Sequence, residues 1–387
     1  MNPVPVTGLG CICAAGDGVE ACLEGLFAGR RAPAPPVRFR TTHPVPYPVF
    51  ELSDFQEGPD LPRTSALALH AAREALGDAG LGPEELEGLR VGVCVGTTVG
   101  SALSHEAFCR AHRAGEDPDL ALLERILKGN PTEVIARTFG FRGPLQTVVN
   151  ACASGTDALG LGASWIEGGL CDVVVAGGAD ELGRVTYNGF ISLKITDPAP
   201  CRPFDRDRRG LNLGEGAAMV VLESERSRSR RRARAFLLGY GSACDAHHQT
   251  APHPEGLGLR RAIAEAMAGA PGAAVAFVNA HGTGTPDNDR VESRVLADVL
   301  PGVPFLSTKG CTGHTLGAAG AIEAVFTALC LERERIPGSL GFETPEPGLP
   351  CAPVSRATDI LGDMALSTSL AFGGNNAALL IGRGERP

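Results

Sequence analysis

Aromatic residues and long apolar segments are both scarce in this sequence. Phe, Trp and Tyr make up 5% of the 387 residues, and Trp occurs once. No apolar run approaches the roughly 18 residues that a membrane-spanning helix needs. The opening segment, MNPVPVTGLG, also lacks the basic region and the apolar core of a secretory signal. We therefore expect a cytoplasmic protein that does not interact with membranes.

Positive charge is also in short supply. The chain has 35 Lys and Arg against 44 Asp and Glu, and its formal net charge is −9. Nucleic-acid-binding proteins usually carry a basic surface, so we predict no nucleic-acid partner. The dense basic run at residues 223–234 (ESERSRSRRRAR) indicates a solvated segment between two parts of the chain. We predict two α/β halves, residues 1–232 and residues 233–387.

The 12 cysteines have no spacing that is typical of a metal site or a disulfide framework. They extend from Cys11 to Cys351, and no pair of C-x2-C motifs occurs. Zinc sites commonly need such pairs, so we predict no bound metal ion. A disulfide framework would need an oxidising compartment, which nothing else in the sequence indicates. Most of the cysteines should therefore be small core residues.

Short apolar runs bounded by Gly, Asn or Ser alternate with segments of helical pattern. Runs of this length predict buried strands. They lie at residues 4–7, 91–95, 145–149, 172–176, 217–222, 274–278, 304–307, 366–370 and 377–381. Ala-rich or 3.6-period patterns predict helices at residues 64–79, 154–167, 258–268 and 318–332. The alternation predicts an α/β protein whose sheets are covered by helices.

One cysteine stands where a predicted strand turns into a helix. The segment LQTVVNACASGTDALG runs from an apolar strand through Cys152 into a helix of small residues. A helix N-terminus carries partial positive charge and free N–H groups, which stabilise a thiolate and an oxyanion. We therefore predict that Cys152 is a nucleophile with a lowered pKa that needs no neighbouring base. A buried structural cysteine is the alternative that this pattern leaves open.

Two histidines each follow a predicted strand in a turn rich in Gly and Thr. His281 begins HGTGT, in which Thr283 and Thr285 place hydroxyls on one side of an extended chain. His314 lies in STKGCTGHT together with Lys309. Two neutral histidines can donate Nε2–H bonds to one thioester oxygen, which stabilises the enolate left when a carboxylate departs as CO2. The pair therefore predicts a decarboxylation site.

The lysine of the second turn has a candidate partner. Its place between Gly and Thr residues predicts that Lys309 is partly buried, and a buried ammonium needs an opposite charge. Glu323, in the helix that follows, could supply that charge. We therefore expect the two residues to pair and to fix the site electrostatically.

A third predicted strand ends in a turn that exposes its backbone. The segment FGGNN begins at Phe372. The N–H of Phe372 could complete an oxyanion hole with the N–H of Cys152. Gly and Asn also form ordinary hairpin turns, so the alternative is a turn without a role in chemistry.

Together these segments resemble the β-ketoacyl-acyl-carrier-protein synthases, the elongating condensing enzymes of the thiolase superfamily. The resemblance covers nearly the whole chain in order. It rests on NACASG at 150–155, CRPFDRDRRGLNLGEGAAMVVLE at 201–223, HGTGT at 281–285, K-x4-H at 309–314 and FGG-x-N at 372–376. Each motif is modest alone, and their combination in this order is specific.

The resemblance implies a fold and a reaction. The fold would be a duplicated, thiolase-like α-β-α-β-α five-layered sandwich. Cys152 would accept an acyl chain from an acyl carrier protein, and His281 and His314 would assist decarboxylation of a malonyl thioester. Attack of the resulting carbanion on the Cys152 thioester would give a 3-oxoacyl product. No cofactor would be needed beyond the phosphopantetheine of the carrier protein.

The resemblance also implies roles for residues around the pocket. Thr283 and Thr285 would bind the phosphopantetheine arm. Phe372 would be the mobile gate of the pocket, with Gly373 beside it contributing to substrate binding. Phe190, in YNGFISL, would form a wall of the acyl pocket, although no motif fixes its position.

The sequence departs from the family pattern at two turns. Asn150 stands where a Thr or Ser often precedes the Ala-Cys pair, which alters the local hydrogen bonding. Leu370 and Ala371 stand where Phe and Gly are common, and the missing Gly predicts a stiffer gate and an unusual substrate choice. These features fit a synthase of a specialised polyketide or polyene as well as one of ordinary fatty acids.

Three other functions compete with this interpretation. A non-decarboxylating thiolase would need a second catalytic cysteine in a Gly-rich turn, and Cys351 precedes Ala-Pro-Val instead. A non-catalytic chain-length factor would lack the cysteine that is present at 152. A generic α/β enzyme with a cysteine nucleophile would not explain the two histidine turns.

Partners follow from the resemblance and from charge. Acyl carrier proteins are acidic, so we expect a local basic patch at the mouth of the pocket. Its candidate residues are Arg63, Arg202, Arg206 and Arg208. The resemblance also implies a homodimer, or a heterodimer with a subunit like a chain-length factor.

Overall fold

The computed structural model describes residues 1–58, 60–100, 102–229 and 231–385. Its strands, in chain order, are β1 (Val4–Cys13), β2 (Gly16–Asp17), β3 (Val91–Gly96), β4 (Leu145–Val148), β5 (Val173–Asp180), β6 (Gly216–Glu223), β7 (Ala235–Cys244), β8 (Phe277–Asn279), β9 (Phe305–Leu306), β10 (Arg335–Ile336), β11 (Thr358–Asp359), β12 (Met364–Ala371) and β13 (Asn375–Arg383).

The helices complete the list of elements. They are α1 (Val19–Phe27), α2 (Arg63–Asp78), α3 (Pro83–Leu86), α4 (Ala102–Arg113), α5 (Leu120–Leu127), α6 (Pro131–Phe139), α7 (Ser154–Glu167), α8 (Arg184–Ser192), α9 (Glu225–Arg228), α10 (Leu257–Met267), α11 (Pro286–Val299), α12 (Lys309–Thr312) and α13 (Ala319–Glu332), with 3-10 turns at Leu316–Ala318 and Phe372–Gly374. None of the described helices is long and apolar enough to span a membrane.

The two halves of the chain build their parts of the sheet in the same way. The first half has the strand order β4-β3-β5-β6-β1, and the second has β9-β8-β12-β13-β7. In each half the first three strands of this order are parallel and the last two join antiparallel. The identical order and direction confirm the predicted duplication. A short antiparallel pairing of β1 with β7 connects the two halves.

Helices form three layers around the two halves of the sheet. Helix α2 packs on β1 and β6 at one outer face, and α10 packs on β7 and β13 at the other. Helices α7 and α13 lie between the halves, since each contacts strands of both. Nearly every residue of α13 is buried, as expected for a helix covered on all sides. This arrangement confirms the predicted five-layered α-β-α-β-α sandwich.

Glycines let the outer helix approach the sheet closely. A Cβ atom at Gly8 would lie 2.0 Å from the carbonyl oxygen of Ala75, and one at Gly10 would lie 2.0 Å from that of Ala71. Both alanines belong to α2. The backbone of β1 therefore touches the backbone of the helix directly, which explains part of the high glycine content of the sequence.

All of the predicted elements are present, and several further elements were not predicted. All nine predicted strands and all four predicted helices correspond to observed ones, and α7 has the predicted bounds. Four of the 13 described strands and nine of the 13 described helices were not predicted, among them β7, α1 and α11. In β7, Gly and Ser interrupt a half-buried pattern, and α11 begins with the polar segment PDNDR. Periodicity alone does not identify such elements.

The basic run at residues 223–234 lies between the two halves of the sheet. Apart from residue 230, which lies outside the described residues, it comprises the end of β6, the short helix α9 and the approach to β7. Four of its arginines, Arg228, Arg231, Arg232 and Arg234, pair with acidic groups, as Arg231 does with Glu223 at 2.6 Å. The division of the chain at residues 232 and 233 stays a prediction.

Two arginines that we expected in a carrier-docking patch are buried. Arg63 is 2% exposed, and its guanidinium contacts Glu215 at 2.8 Å and Glu57 at 2.6 Å. Arg208 is 6% exposed and pairs with Asp289. The prediction was wrong for both residues because the sequence does not show that these charges have internal partners.

Removing the Arg63 guanidinium should destabilise the protein. Glu215 is fully buried, so Arg63→Met leaves its carboxylate without a partner, and we expect the free energy of unfolding in urea to fall by about 3–5 kcal/mol. The matched control is Arg206→Met, at an exposed arginine that pairs with its exposed neighbour Asp207; this variant should lose little stability, because solvent screens an exposed pair. Equal losses for the two variants would contradict a structural role of Arg63.

Candidate active site

Cys152 lies in a strained turn between β4 and α7. The preceding residue, Ala151, has φ = +46°, a conformation that costs a non-glycine residue about 1–3 kcal/mol unless its surroundings enforce it. The hydroxyl of Ser154 accepts a hydrogen bond from the N–H of Asn150 at 2.8 Å and donates to the carbonyl of Ala151 at 2.6 Å. The hydroxyl of Thr98 donates to the same carbonyl at 3.0 Å. These bonds hold the turn that presents the thiol.

Parallel strands bring the other predicted site residues to the same place. Strands β9, β8 and β12 are neighbours and run parallel, so their carboxyl ends meet at one edge of the sheet. His281 follows β8, His314 follows β9, and Phe372 follows β12. Cys152 follows β4 of the first half. The site therefore forms where strand ends of the two halves face each other.

A cavity of about 140 Å³ contains the cysteine and both histidines. Nε2 of His314 lies 3.0 Å from Sγ of Cys152. The ring of His281 is edge-on to that of His314, with 5.2 Å between their centroids. Seven of the predicted site residues line the cavity: Cys152, Phe190, His281, Thr283, Thr285, His314 and Phe372.

Lys309 lies directly behind this cavity and fixes one histidine. Its ammonium donates to the carbonyl of His281 at 2.6 Å, contacts Nδ1 of the same residue at 3.2 Å, and pairs with the carboxylate of Glu323. Because an ammonium only donates, Nδ1 must accept. The ring proton of His281 is therefore on Nε2. The expected contact between Lys309 and Glu323 is present.

Burial keeps both histidines neutral. It lowers the pKa of His281 well below its ordinary value, and the positive charge of Lys309 and the neighbouring His314 lower it further. Burial and Lys309 also lower the pKa of His314. Burial raises the pKa of Glu323 to about 7, although the ammonium opposes this. Two neutral rings at one cavity can donate hydrogen bonds without carrying charge.

The thiol of Cys152 is protonated, contrary to our expectation from the helix N-terminus. Burial raises its pKa to about 12, although Lys309 and the backbone N–H of Phe372 lower it. Desolvation of a thiolate in this 4% exposed position therefore outweighs the local positive potential. The backbone N–H groups of Phe372 and Cys152 are near enough to the sulfur for both to lower its pKa. Two N–H donors are thus close to the atom that would carry the acyl group.

The turn after β12 faces a second aromatic ring. The rings of Phe372 and Phe190 stack, with centroids 5.4 Å apart and an interplanar angle of 17°. Gly373 lies outside the cavity lining and is exposed, and its N–H donates to the carbonyl of Gln249 at 2.8 Å. The predicted substrate-binding role of Gly373 stays a prediction. The two rings form one wall of the cavity.

Two carboxylates that the sequence analysis did not single out hold the HGTGT turn. Glu292 accepts hydrogen bonds from the N–H groups of His281 at 2.7 Å and Gly282 at 2.8 Å. Asp289 accepts from the N–H of Thr283 at 3.1 Å. Both carboxylates belong to the first turns of α11. The sequence offered one indication of this role: the two acidic residues are three positions apart, on one face of a helix, directly after a Gly-rich turn.

The hydroxyls of the HGTGT turn are placed together as their alternation predicted. Oγ1 of Thr283 and Oγ1 of Thr285 are hydrogen-bonded at 2.8 Å, and both residues line the cavity. The two side chains therefore offer a small polar patch beside the histidines. Such a patch suits the amide and hydroxyl groups of a substrate arm.

A group of cysteines elsewhere is close enough to share a metal ion. The sulfurs of Cys11, Cys13 and Cys22 all lie within 4.8 Å of one another. They are buried in an apolar cluster of the core, and the thiol of Cys22 donates to the carbonyl of Gly16 at 3.0 Å. The expected absence of a metal stays a prediction. No cysteine of this group lines the cavity described above.

Comparison with known proteins identifies the family. The family model for the beta-ketoacyl synthase N-terminal domain matches residues 1–228, and the model for the C-terminal domain matches residues 234–343. The chain therefore belongs to the β-ketoacyl synthase family, which confirms the resemblance seen in the sequence.

Similar proteins cover nearly the whole chain. The chain is 32% identical to 3-oxoacyl-[acyl-carrier-protein] synthase 2 of Synechocystis sp., over 97% of each protein. It is 35% identical to the tetracenomycin polyketide synthase ketoacyl synthase alpha subunit of Streptomyces glaucescens, over 98% of this chain and 97% of that one. Among solved structures, the ishigamide ketosynthase/chain length factor has a TM-score of 0.93 at 35% identity, over 99% of each chain.

Cys152 should react slowly with an alkylating reagent at neutral pH. Because the thiolate is the reactive form and the thiol pKa is about 12, the alkylation rate should rise about tenfold per pH unit between about pH 7 and about pH 10. Peptide mapping after iodoacetamide treatment separates Cys152 from the exposed Cys109 and Cys244.

A short unstructured peptide with one cysteine is the control, and its rate should level off above its pKa of about 8.5. A plateau for Cys152 already at neutral pH would reveal a preformed thiolate. That result would support the lowered pKa expected from the sequence and contradict the dominance of burial.

Proposed function

We propose that this chain catalyses the decarboxylative Claisen condensation of an acyl group on Cys152 with malonyl-acyl carrier protein. The products are 3-oxoacyl-acyl carrier protein and CO2. The observation that carries the proposal is the 3.0 Å contact between Cys152 Sγ and His314 Nε2, with His281 in the same cavity. A nucleophile and two neutral N–H donors are the groups that the two half-reactions need.

The first half-reaction loads the cysteine. Sγ of Cys152 attacks the thioester carbonyl of an acyl carrier protein, and the N–H groups of Cys152 and Phe372 stabilise the oxyanion that forms. The bond to the phosphopantetheine sulfur breaks, and the thiol proton of Cys152 leaves on that sulfur. The enzyme then carries the acyl group as a thioester.

The second half-reaction forms the carbon–carbon bond. Nε2–H groups of His281 and His314 donate to the thioester oxygen of malonyl-acyl carrier protein, so that loss of CO2 leaves a stabilised enolate. Its carbon attacks the acyl carbonyl, and the bond to Cys152 Sγ breaks. The cysteine leaves as a thiolate and takes up one proton. Lys309 acts through His281, because it holds that ring in the Nε2–H tautomer.

Other residues of the cavity bind the substrate arms. Thr283 and Thr285 offer hydroxyls to the phosphopantetheine arm, and Gly373 contributes backbone to the same entrance. Phe372 closes the pocket against Phe190 and moves when an acyl chain enters. The catalytic set is Cys152, His281, Lys309, His314 and Phe372, with Glu323 as the structural partner of the lysine.

The biological setting follows from the same resemblance. Substrates arrive on acyl carrier proteins, and no further cofactor takes part. The protein is cytoplasmic and works as a homodimer or with a chain-length-factor-like subunit, in fatty acid or in specialised polyketide or polyene synthesis. Its two thiolase-like halves divide at residues 232 and 233. Arg202 and Arg206 remain candidates for carrier docking, and Arg206 is exposed.

Two rival functions find less support. A non-decarboxylating thiolase needs a second cysteine at the site, and Cys351 instead contacts Ser293, with its sulfur 3.1 Å from the backbone carbonyl. Cys152 is the one cysteine among the described residues that line the cavity. A non-catalytic chain-length factor would not need a nucleophile beside two histidines.

Condensation should depend on Cys152. With acyl- and malonyl-acyl carrier protein, intact mass spectrometry should detect 3-oxoacyl-acyl carrier protein for the wild type and none for Cys152→Ala, because the acyl group then has no attachment point. The matched control is Cys171→Ala, at a buried cysteine that does not line the cavity, and it should retain activity.

Either of two results would contradict the proposed function. Condensation by Cys152→Ala would refute the proposed nucleophile. If the wild type neither loads an acyl group nor releases CO2, alone or with a chain-length-factor-like subunit, the condensing function itself is wrong.

His281 should be needed for decarboxylation and not for loading. Without its Nε2–H, the enolate loses one of two donors, and we expect His281→Ala to release CO2 from malonyl-acyl carrier protein about 10²- to 10³-fold more slowly. Transfer of an acyl group to Cys152 should persist, since its oxyanion is held by backbone N–H groups. Equal losses in both half-reactions would contradict the division of roles.

A further inference from the structure

Asn150, the residue that departs from the family pattern, makes a side-chain contact beneath the nucleophile. Its amide Nδ2 donates to the carboxylate of Asp157 at 2.5 Å. Asp157 belongs to the first turn of α7, one turn after the cysteine. The other carboxylate oxygen of Asp157 accepts the hydroxyl of Tyr240 at 2.8 Å. Asn150, Asp157 and Tyr240 therefore form a continuous hydrogen-bonded chain, the elbow network.

The carboxylate at the centre of the elbow network is buried, and its two donors are partly buried. Asp157 is 8% exposed, and burial raises its pKa, while the hydrogen bonds from Asn150 and Tyr240 lower it. A carboxylate in such a place needs its acceptors occupied, because an unpaired buried charge is costly. The side chains of Asn150 and Tyr240 therefore help to fix the position of Asp157 and, through it, of each other. Loss of either donor leaves one carboxylate oxygen of Asp157 without its hydrogen bond.

Tyr240 brings the second half of the chain into this contact. It lies on β7, and its ring packs against α7 at Gly160, where an added Cβ would lie 2.3 Å from the ring. The small residue at 160 makes room for the tyrosine. The network thus ties the nucleophile turn of the first half to the first strand of the second.

The position of Asn150 makes the network relevant to chemistry. Asn150 directly precedes Ala151, whose positive φ must be enforced by its surroundings. Its carbonyl accepts the N–H of Ala153 at 3.1 Å, so both sides of Cys152 depend on where Asn150 is held. The direction of the Cys152 N–H, one of the two donors at the sulfur, depends on the same backbone.

We infer that Asn150, Asp157 and Tyr240 are positioning residues that aim the backbone N–H of Cys152 at the oxyanion of acyl transfer. The inference rests on the proposed function. It assigns a use to the asparagine that replaces the Thr or Ser of the family. None of the three side chains lines the cavity, and each acts through the turn that carries the nucleophile.

Two reactions of the same thiol test the inference. Acyl transfer from an acyl carrier protein passes through an oxyanion, whereas alkylation by iodoacetamide displaces iodide and forms none. For Asn150→Ala and Tyr240→Phe, we expect the single-turnover rate of Cys152 acylation to fall about 10- to 100-fold, as small misplacements do. The rate of Cys152 alkylation should change much less, because burial and not the N–H of Cys152 dominates the pKa of the thiol. The double variant should lose less than the product of the two single losses, because both donors act through Asp157.

Tyr187→Phe is the matched control. Tyr187 is buried and its hydroxyl donates to the carbonyl of Tyr47 at 3.0 Å, so this variant loses a comparable bond outside the network and should acylate like the wild type. Asn150→Ser, which restores the family's small hydroxyl, should recover part of the lost rate.

Unchanged acylation in both network variants would overturn the inference. Acylation and alkylation that fall in parallel, together with a loss of stability greater than that of Tyr187→Phe, would also overturn it by showing a merely structural role. The wild type reports separately on the proposed function, because an absence of acylation there refutes the condensing reaction and not the network.

Discussion

The buried ammonium of Lys309 is the constraint on which the rest of the site depends. A charge in this position needs a partner of opposite sign and further acceptors, and it finds Glu323 and two atoms of His281. That requirement sets the tautomer of His281 and helps to keep both histidines neutral. The same positive charge partly offsets the cost of forming a thiolate at Cys152. One lysine thus links the electrostatics of the three groups that the proposed reaction uses.

The duplicated fold explains how these groups come together. Each half places the ends of three parallel strands at one edge of its sheet, and the central helices α7 and α13 hold the two edges face to face. The first half contributes the proposed nucleophile at the start of a helix, and the second contributes two histidine turns and the Phe372 turn. The proposed site forms at the junction because neither half holds all of these residues. The elbow network, with Tyr240 on β7 and Asn150 beside the cysteine, connects the halves at the same place.

Much of the site could be predicted because its residues follow strand ends in distinctive turns. Cys152, His281 and His314 occur in short segments whose order along the chain is specific, and the structure brings all three to one cavity. The five-layered fold was implied by resemblance, whereas periodicity alone indicated only an α/β protein. Strand β7 and helix α11 were not predicted, because glycines and polar residues interrupt their apolar periodicity.

Other features depend on tertiary partners that a sequence does not show. Arg63 was predicted to lie on the surface, but it forms ion pairs with Glu215 and Glu57 inside the protein. The pKa of Cys152 was expected to be low from its helix, and burial reverses the direction of the shift. The contact of Asn150 with Asp157 could not be predicted either, because it is completed by Tyr240, which donates to Asp157 and lies ninety residues after Asn150. In each case the deciding contact is long-range or depends on how far water is excluded.

A crystal structure of the chain with an acyl group on Cys152 would show which donors hold the acyl oxygen. The acyl carbonyl oxygen should lie about 3 Å from the backbone nitrogens of Cys152 and Phe372, which leaves the Nε2–H groups of His281 and His314 free for the malonyl thioester. An acyl oxygen bound by the two histidines instead would refute this division of donors, because none would then remain to stabilise the enolate.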